Sequence, residues 1–163
     1  MKYRILTRDE LEELESEFVT FLVTNGITGE DWIRIKAEDS GKSQQLIAIF
    51  SDVVFEKILS TVHFLEHRQK DIIRIFKFDE DKVIMNGIRV EGQTAIDFTR
   101  DQDATTLIQL FQLSAGKLKI FTAEKRYKKD RLLEIFALMQ SGAQILKNDR
   151  LFNTIEQLKY SKQ

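Results

Sequence analysis

Apolar positions recur at helical spacing through the first third of the chain. Leu11, Leu14, Phe18, Phe21 and Leu22 repeat at steps of three and four, which puts them on one stripe of a helix ending at Asn25-Gly26. Thr7 stands three residues before Glu10, the spacing of a capping box. Asp9 and Glu10 suit the positive end of the helix dipole. Thr28 with Asp31 opens a second, shorter helix through Trp32, Ile33 and Ile35, which fades by Ser40-Gly41. Ser43 caps a third helix, with a wide apolar face of Leu46, Ile47, Phe50, Val53, Val54, Ile58, Val62 and Leu65. This is the candidate core helix, and its stripe Phe50, Val54, Ile58 and Leu65 is expected to be buried.

After Lys70 the period changes. Asp71 to Phe78 is rich in isoleucine and phenylalanine and predicts a strand. Asp79 to Lys82 is a polar turn, and Val83 to Val90 reads as a second strand with Ile84, Ile88 and Val90 on one face. Asn86-Gly87 inside it also fits a tight hairpin turn, so the register stays open between the two. Thr94 to Phe98 predicts a third short strand, Asp103 to Ala115 a helix stopped by Gly116, and Leu118 to Phe121 a short extended piece. Thr122 caps a long helix over Ala123 to Ser141 with the stripe Leu132, Ile135, Phe136 and Met139, closed by Gly142. Ala143 to Lys147 and Leu151 to Ile155, around Asn148-Asp149, read as a hairpin followed by a short amphipathic tail. The fold class is therefore α+β. A helical N-terminal half of three helices precedes a small antiparallel sheet, a long C-terminal helix and a terminal β-hairpin. Residues 1–163 form one domain or two lobes, a helical 1–69 and a mixed 70–163.

Composition supports a folded chain and removes several functional classes. Hydrophobic residues are 42% and charged residues 31% of 163, which argues against extended disorder. The longest apolar runs, Leu46 to Phe50 and Ile135 to Met139, are five residues, against the ~20 a spanning helix needs, so no membrane association is expected. The first ten residues turn acidic where a signal peptide would turn apolar, which predicts a cytoplasmic protein. Without cysteine there is no thiol nucleophile, thiolate metal site or disulfide framework. Without proline there is no proline-rich linker or recognition segment. Twenty-six acids against 25 bases predict no bulk attraction to polyanions.

Four stretches carry a resemblance. They are Met1-Lys2-Tyr3-Arg4-Ile5-Leu6-Thr7 with Glu10-Leu11, Leu14-Glu15 and Glu17-Phe18; Asn25-Gly26-Ile27-Thr28 with Asp31-Trp32; Phe50 to Lys57; and Phe121 to Lys125 with Gln140-Ser141-Gly142-Ala143. In these the chain resembles, over nearly its whole length, a family of uncharacterised proteins from Bacteroidetes, a domain of unknown function. The resemblance implies a bacterial cytoplasmic protein and carries no catalytic residues with it.

Three features bear on chemistry. His63-Phe64-Leu65-Glu66-His67 fits the H-x-x-E-H pattern of inverted zinc peptidases, in which two histidines one helical turn apart share a metal and the glutamate activates water. These are the only two histidines, and no glutamate stands some 75 residues on, where positions 142–144 are Gly, Ala and Gln. A metal-dependent hydrolase is thus the third-ranked reading, and a polar helix end is preferred. The second feature is basic: residues 117–131 hold seven bases against Glu124 and Asp130, with Phe121 and Tyr127 interleaved. Lys125, Arg126, Lys128, Lys129 and Arg131 are the candidate binding residues, opening the expected helix. Bases with stackable aromatics suit single-stranded nucleic acid. A helix followed by a hairpin also loosely resembles a winged helix, although the expected wing holds only Lys147 and Arg150. The pI of 6.2 favours a solvated face or an acidic protein partner instead.

The third feature is acidic. Asp9 to Glu17 holds six acids, so residues 1–60 carry seven bases against twelve acids and residues 61–163 eighteen against fourteen. The acidic run reads first as a solvated helix face. The alternative is that the acidic helix meets the basic one, within one molecule or between two copies, since opposed patches steer association. No nucleotide-binding glycine loop or nucleophile elbow is present. The reading is a non-catalytic binding protein with a protein partner or self-association, no cofactor and no metal. The alternative is an RNA or single-strand binding module using residues 117–131.

Overall fold

The computed structural model describes residues 1–114 and 116–161; Ala115, the last residue of one expected helix, lies outside them. The chain divides into two compact units, 1–60 and 61–163. The division coincides with the change from acidic to basic net charge. Among the described residues no helix is long and apolar enough to cross a membrane.

The first unit is helical, with α1 (Arg8–Glu13), α2 (Glu15–Thr24), α3 (Gly29–Glu38) and α4 (Ser40–Ser60). Both expected capping boxes form. The Thr7 hydroxyl accepts from the Glu10 amide while the Glu10 carboxylate accepts from the Thr7 amide, and Thr28 and Asp31 repeat the arrangement. The first expected helix is broken once, at Leu14. Its N–H reaches back to both Glu10 and Leu11 carbonyls, which tightens the turn before the apolar stripe resumes. Phe18 sits at the centre of an aromatic cluster, 5.1 Å from Trp32 and 5.0 Å from Phe50. The irregular N-terminal segment is tied to α4: the Lys2 and Tyr3 amides donate to the Asp52 carboxylate and the Leu6 amide to the Ser51 hydroxyl.

Two expectations for α4 are corrected. It starts at Ser40, where the Asp39 carboxylate accepts from the Lys42 amide, and Ser43 lies buried inside it. It also ends at Ser60, not at Leu65. Of the expected stripe, Phe50 is buried, Val54 is half-buried and Ile58 is 42% exposed, while Leu65 is buried in a strand.

The second unit is a five-stranded antiparallel sheet in the order β4-β3-β2-β1-β5 with three helices. Its elements are β1 (Phe64–Gln69), β2 (Ile72–Phe78), β3 (Lys82–Val90), α5 (Ala104–Leu113), β4 (Leu118–Arg126), α6 (Arg131–Gln140), β5 (Gln144–Leu146) and α7 (Arg150–Ser161). The strand over Ile72–Phe78 is as expected. Lys82–Val90 runs straight through Asn86-Gly87, which settles the register against a hairpin turn there. Four other expectations are corrected. Residues 64–69 pair with β2 and β5; Leu65 is buried on one face while Phe64, Glu66 and Arg68 are half-buried on the other, so the segment lacks the strict alternation that marks a half-exposed strand. Thr94 to Phe98 is irregular; the Arg68 guanidinium pins it by donating to the carbonyls of Phe98, Arg100 and Gln102. The long helix over 123–141 is half as long, because residues 118–126 pair with β3 along their whole length. The terminal hairpin is absent: Gln144–Leu146 pairs with β1, and Leu151, Phe152, Ile155 and Leu158 form the buried stripe of α7.

The register sorts the strand residues onto two faces. One face carries Ile73, Ile75, Ile88 and Leu118 into the main core, closed by Leu107 and Phe111 of α5 and by the α7 stripe, with Phe98 filling the space between. The opposite face carries Leu65, Phe76, Phe78 and Val83 near the end where α6 begins, and Arg74, Gly87, Arg89, Lys119 and Phe121 toward the other.

Candidate functional site: a basic sheet face

The five candidate bases do not share a helix. Lys125 and Arg126 end β4, an edge strand; Lys128 and Lys129 lie in the loop before α6; and Arg131 is the first residue of α6. The sequence between Ala123 and Arg131 is rich in good helix formers, yet its first four residues extend the nine-pair ladder of β4 with β3, which overrides that preference.

The loop is held by three side chains. Glu134 faces back from α6, and one of its oxygens accepts from the Lys128 and Lys129 amides at 3.0 and 3.3 Å. Its other oxygen is 3.5 Å from Lys125 Nζ. Burial pushes the Glu134 carboxyl up, but the two amides and Lys125 outweigh it and hold the group below the usual carboxylate range. The Tyr127 hydroxyl lies 2.7 and 2.8 Å from the carbonyl oxygens of Asp79 and Lys82, and burial pushes its pKa up. Arg131 turns its guanidinium inward, donating to the carbonyls of Val62 (2.7 Å), Phe78 (3.2 Å) and Asp79 (3.2 Å). Arg131 is therefore a brace of the fold. Arg126, Lys128 and Lys129 carry no ion pair among the described residues.

The register adds bases that segment 117–131 alone does not show. On the face opposite α5 and α7, every charged residue supplied by the five strands is basic or histidine: His67, Arg74, Arg89, Lys119 and Lys125. Arg89 is paired with Glu91 and Lys125 with Glu134, whereas Arg74 and Lys119 have no ion pair among the described residues. One cross-strand row reads His67, Arg74, Gly87, Phe121. A Cβ placed on Gly87 would sit 2.2 Å from the Phe121 ring tip, so the ring leans across β3 into the space that glycine leaves. The Arg74 guanidinium lies 6.0 Å from the centre of that ring. The signal for this site is the register: Arg74, Gly87 and Phe121 are far apart in sequence and adjacent only across strands.

A second polar cluster lies on the core-bearing face. Asn86, fully buried on β3, donates to the Glu156 carboxylate at 2.6 Å, and its carbonyl oxygen is 3.1 Å from the Thr122 hydroxyl and 3.4 Å from Lys159 Nζ. The Asn86 hydrogen bond, with Lys159 beside it, holds the Glu156 carboxyl low despite burial. A cleft of about 640 Å³ opens beside it, lined by Lys77, Ile84, Thr122, Phe152, Glu156 and Lys159. Glu156 and Lys159 both stand on α7 and both reach Asn86, so the cluster ties α7 to the sheet.

The H-x-x-E-H residues are separated by the same register. His63 precedes β1, and His67 follows it by four residues of extended chain, ~13 Å at strand rise, not one helical turn. Glu66 faces the side opposite His67, paired with Arg68 at 3.3 Å, while His67 Nε2 lies 3.2 Å from the Ser141 carbonyl oxygen. The premise of a shared metal is thus lost. Among the described residues no group of three or more histidines or carboxylates is placed to hold a metal ion.

Residues 1–160 match the model of a family of unknown function, DUF6495. The chain belongs to the DUF6495 family. No curated protein and no solved structure matches this DUF6495 chain.

Proposed function

We propose that this DUF6495 protein is a cytoplasmic bacterial binding protein that acts without catalysis, and that the basic sheet face of its second unit takes a polyanionic partner. The observation that supports this reading is the set Arg74, Lys119 and Lys125 on one face, together with Lys128 and Lys129 at its end, without a strand carboxylate among them. Like charges held together on a rigid sheet raise the local potential and steer an oppositely charged partner. Four of these five cations, Arg74, Lys119, Lys128 and Lys129, have no ion pair among the described residues, which leaves their charge for a ligand.

The test compares two double variants with the same change in net charge. Lys119→Glu/Lys125→Glu alters the sheet face; Lys42→Glu/Lys57→Glu alters exposed positions on α4. Retention on a sulfated polyanion is measured across a salt series, with circular dichroism as the check on folding. The sheet-face pair is expected to abolish retention near physiological salt, and the α4 pair to leave most of it. Equal loss from both pairs would reduce the binding to bulk charge and refute the assigned surface.

A further inference from the structure

We infer that the polyanion this face takes is a single-stranded nucleic acid, with one base stacked at Phe121; the inference rests on the binding reading above. Three features of the face select this chemistry. The first is Phe121, half-buried in the middle of a basic row. Its position depends on Gly87 directly opposite, the one residue that leaves room for the ring to lie across the neighbouring strand. The second is Arg74, on the other side of Gly87, whose planar guanidinium stands over the same ring. A ring and a guanidinium in one row offer two stacking partners to a flat, electron-rich base. The third is the placement of Lys119 two residues before Phe121 and Lys125 four residues after it on the same strand and face. At strand rise these two amines span ~20 Å, with the stacking position between them. A phosphate chain running along β4 meets cations on both sides of the stacked base.

The alternatives fit less of this arrangement. An acidic peptide satisfies the lysines and leaves the ring and the guanidinium without a role. A duplex hides its base faces, and its major groove admits a helix or a two-stranded ribbon, whereas this surface is the broad face of a sheet. Stacking on a phenylalanine reads no base edge, so binding is expected to tolerate sequence. Two to four neutralised phosphates at ~0.7 each put the slope of log affinity against log salt near −1.5 to −3.

Four labelled probes are titrated into the full chain: a twelve-residue oligothymidylate, an abasic deoxyribose-phosphate polymer of equal length, a hairpin duplex, and poly-glutamate. Phe121→Leu removes the ring and keeps apolar bulk, Phe121→Tyr restores a stacking ring, and Arg74→Gln removes the second plane; thermal melts confirm that each variant folds. The expected result is micromolar affinity for oligothymidylate at moderate salt, at least tenfold above the abasic polymer. Phe121→Leu should lower it about tenfold with the salt slope unchanged, and Phe121→Tyr should restore it. If oligothymidylate and the abasic polymer bind equally and Phe121→Leu changes nothing, the face binds polyanions but the nucleic-acid assignment falls. If poly-glutamate or the duplex binds more tightly than the single strand, the assignment falls in favour of that partner. If no probe is bound, both this inference and the polyanion reading fall.

Discussion

Replacing Arg131 by methionine separates a structural base from the binding bases around it. The substitution keeps a long apolar stem and removes the guanidinium. Three backbone carbonyls, those of Val62, Phe78 and Asp79, then lose a charged donor that reached them at 2.7, 3.2 and 3.2 Å. A hydrogen bond from a charged donor contributes about 1.5–3 kcal/mol when its acceptor is fully dry. The site is only partly buried, so water replaces some of the lost bonds, and the shortest of the three carries the largest share. The sum expected is about 2–4 kcal/mol, a large fraction of the stability of a domain of this size. Urea denaturation followed by far-ultraviolet circular dichroism measures it, with Lys129→Met as the control. Lys129 has an exposed side chain and should cost no more than about 0.5 kcal/mol. At salt and temperature where both proteins remain folded, polyanion affinity should fall for Lys129→Met and stay within twofold of the parent for Arg131→Met. A stability loss below about 0.5 kcal/mol for Arg131→Met would show that the guanidinium is not committed to the backbone and would return it to the binding surface.

Gly87→Ala places a methyl group 2.2 Å from the Phe121 ring tip and forces the ring off β3. A loss of about 1–3 kcal/mol in denaturant melts, with shifted Phe121 ring resonances, is expected, and unchanged resonances would contradict the ring's position. Glu10 is held down to about 2, first by the Arg4 guanidinium at 2.8 Å and then by the Thr7 amide. Its folded pKa lies below the unfolded value near 4.5, so its stabilisation is complete above about pH 4.5 and is lost as pH falls toward 2. Glu10→Gln should therefore be less stable than the parent at pH 7, by no more than about 1 kcal/mol because the pair is over a third exposed, and the gap should narrow as pH falls from about 4.5 through 2. A gap that does not narrow over that range would assign the effect to packing instead.

Local chemistry made part of this fold legible. Thr7 with Glu10, and Thr28 with Asp31, close hydrogen-bonded rings within four residues, so their capping boxes are determined wherever the rest of the chain goes. Asp103 caps α5 by the same rule, accepting from the Thr106 amide. Ile72 to Phe78 had a strand composition strong enough to stand alone. Leu118 to Phe121 is extended as expected, and residues 123–131 are the opposite case. Their alanine, glutamate, lysine and arginine favour a helix by tenths of a kilocalorie per residue, and a nine-residue ladder to β3 outweighs that sum. The same ladder turned Asn86-Gly87 from a turn candidate into a buried hydrogen-bond centre and a seat for Phe121. The pairing of β1 separated His63, Glu66 and His67 in place of a helix that would have joined them. Leu151, Phe152, Ile155 and Leu158 fit a helical stripe as well as a hairpin strand, and the packing of α7 on the sheet decides between them. The amino-acid sequence by itself determined the Thr7 and Thr28 caps, the helical first unit and the surplus of bases between 117 and 131. Which of those bases face one surface, and which single base turns inward, was decided by cross-strand register, because side-chain direction in a strand follows the pairing partner and not the neighbours in sequence.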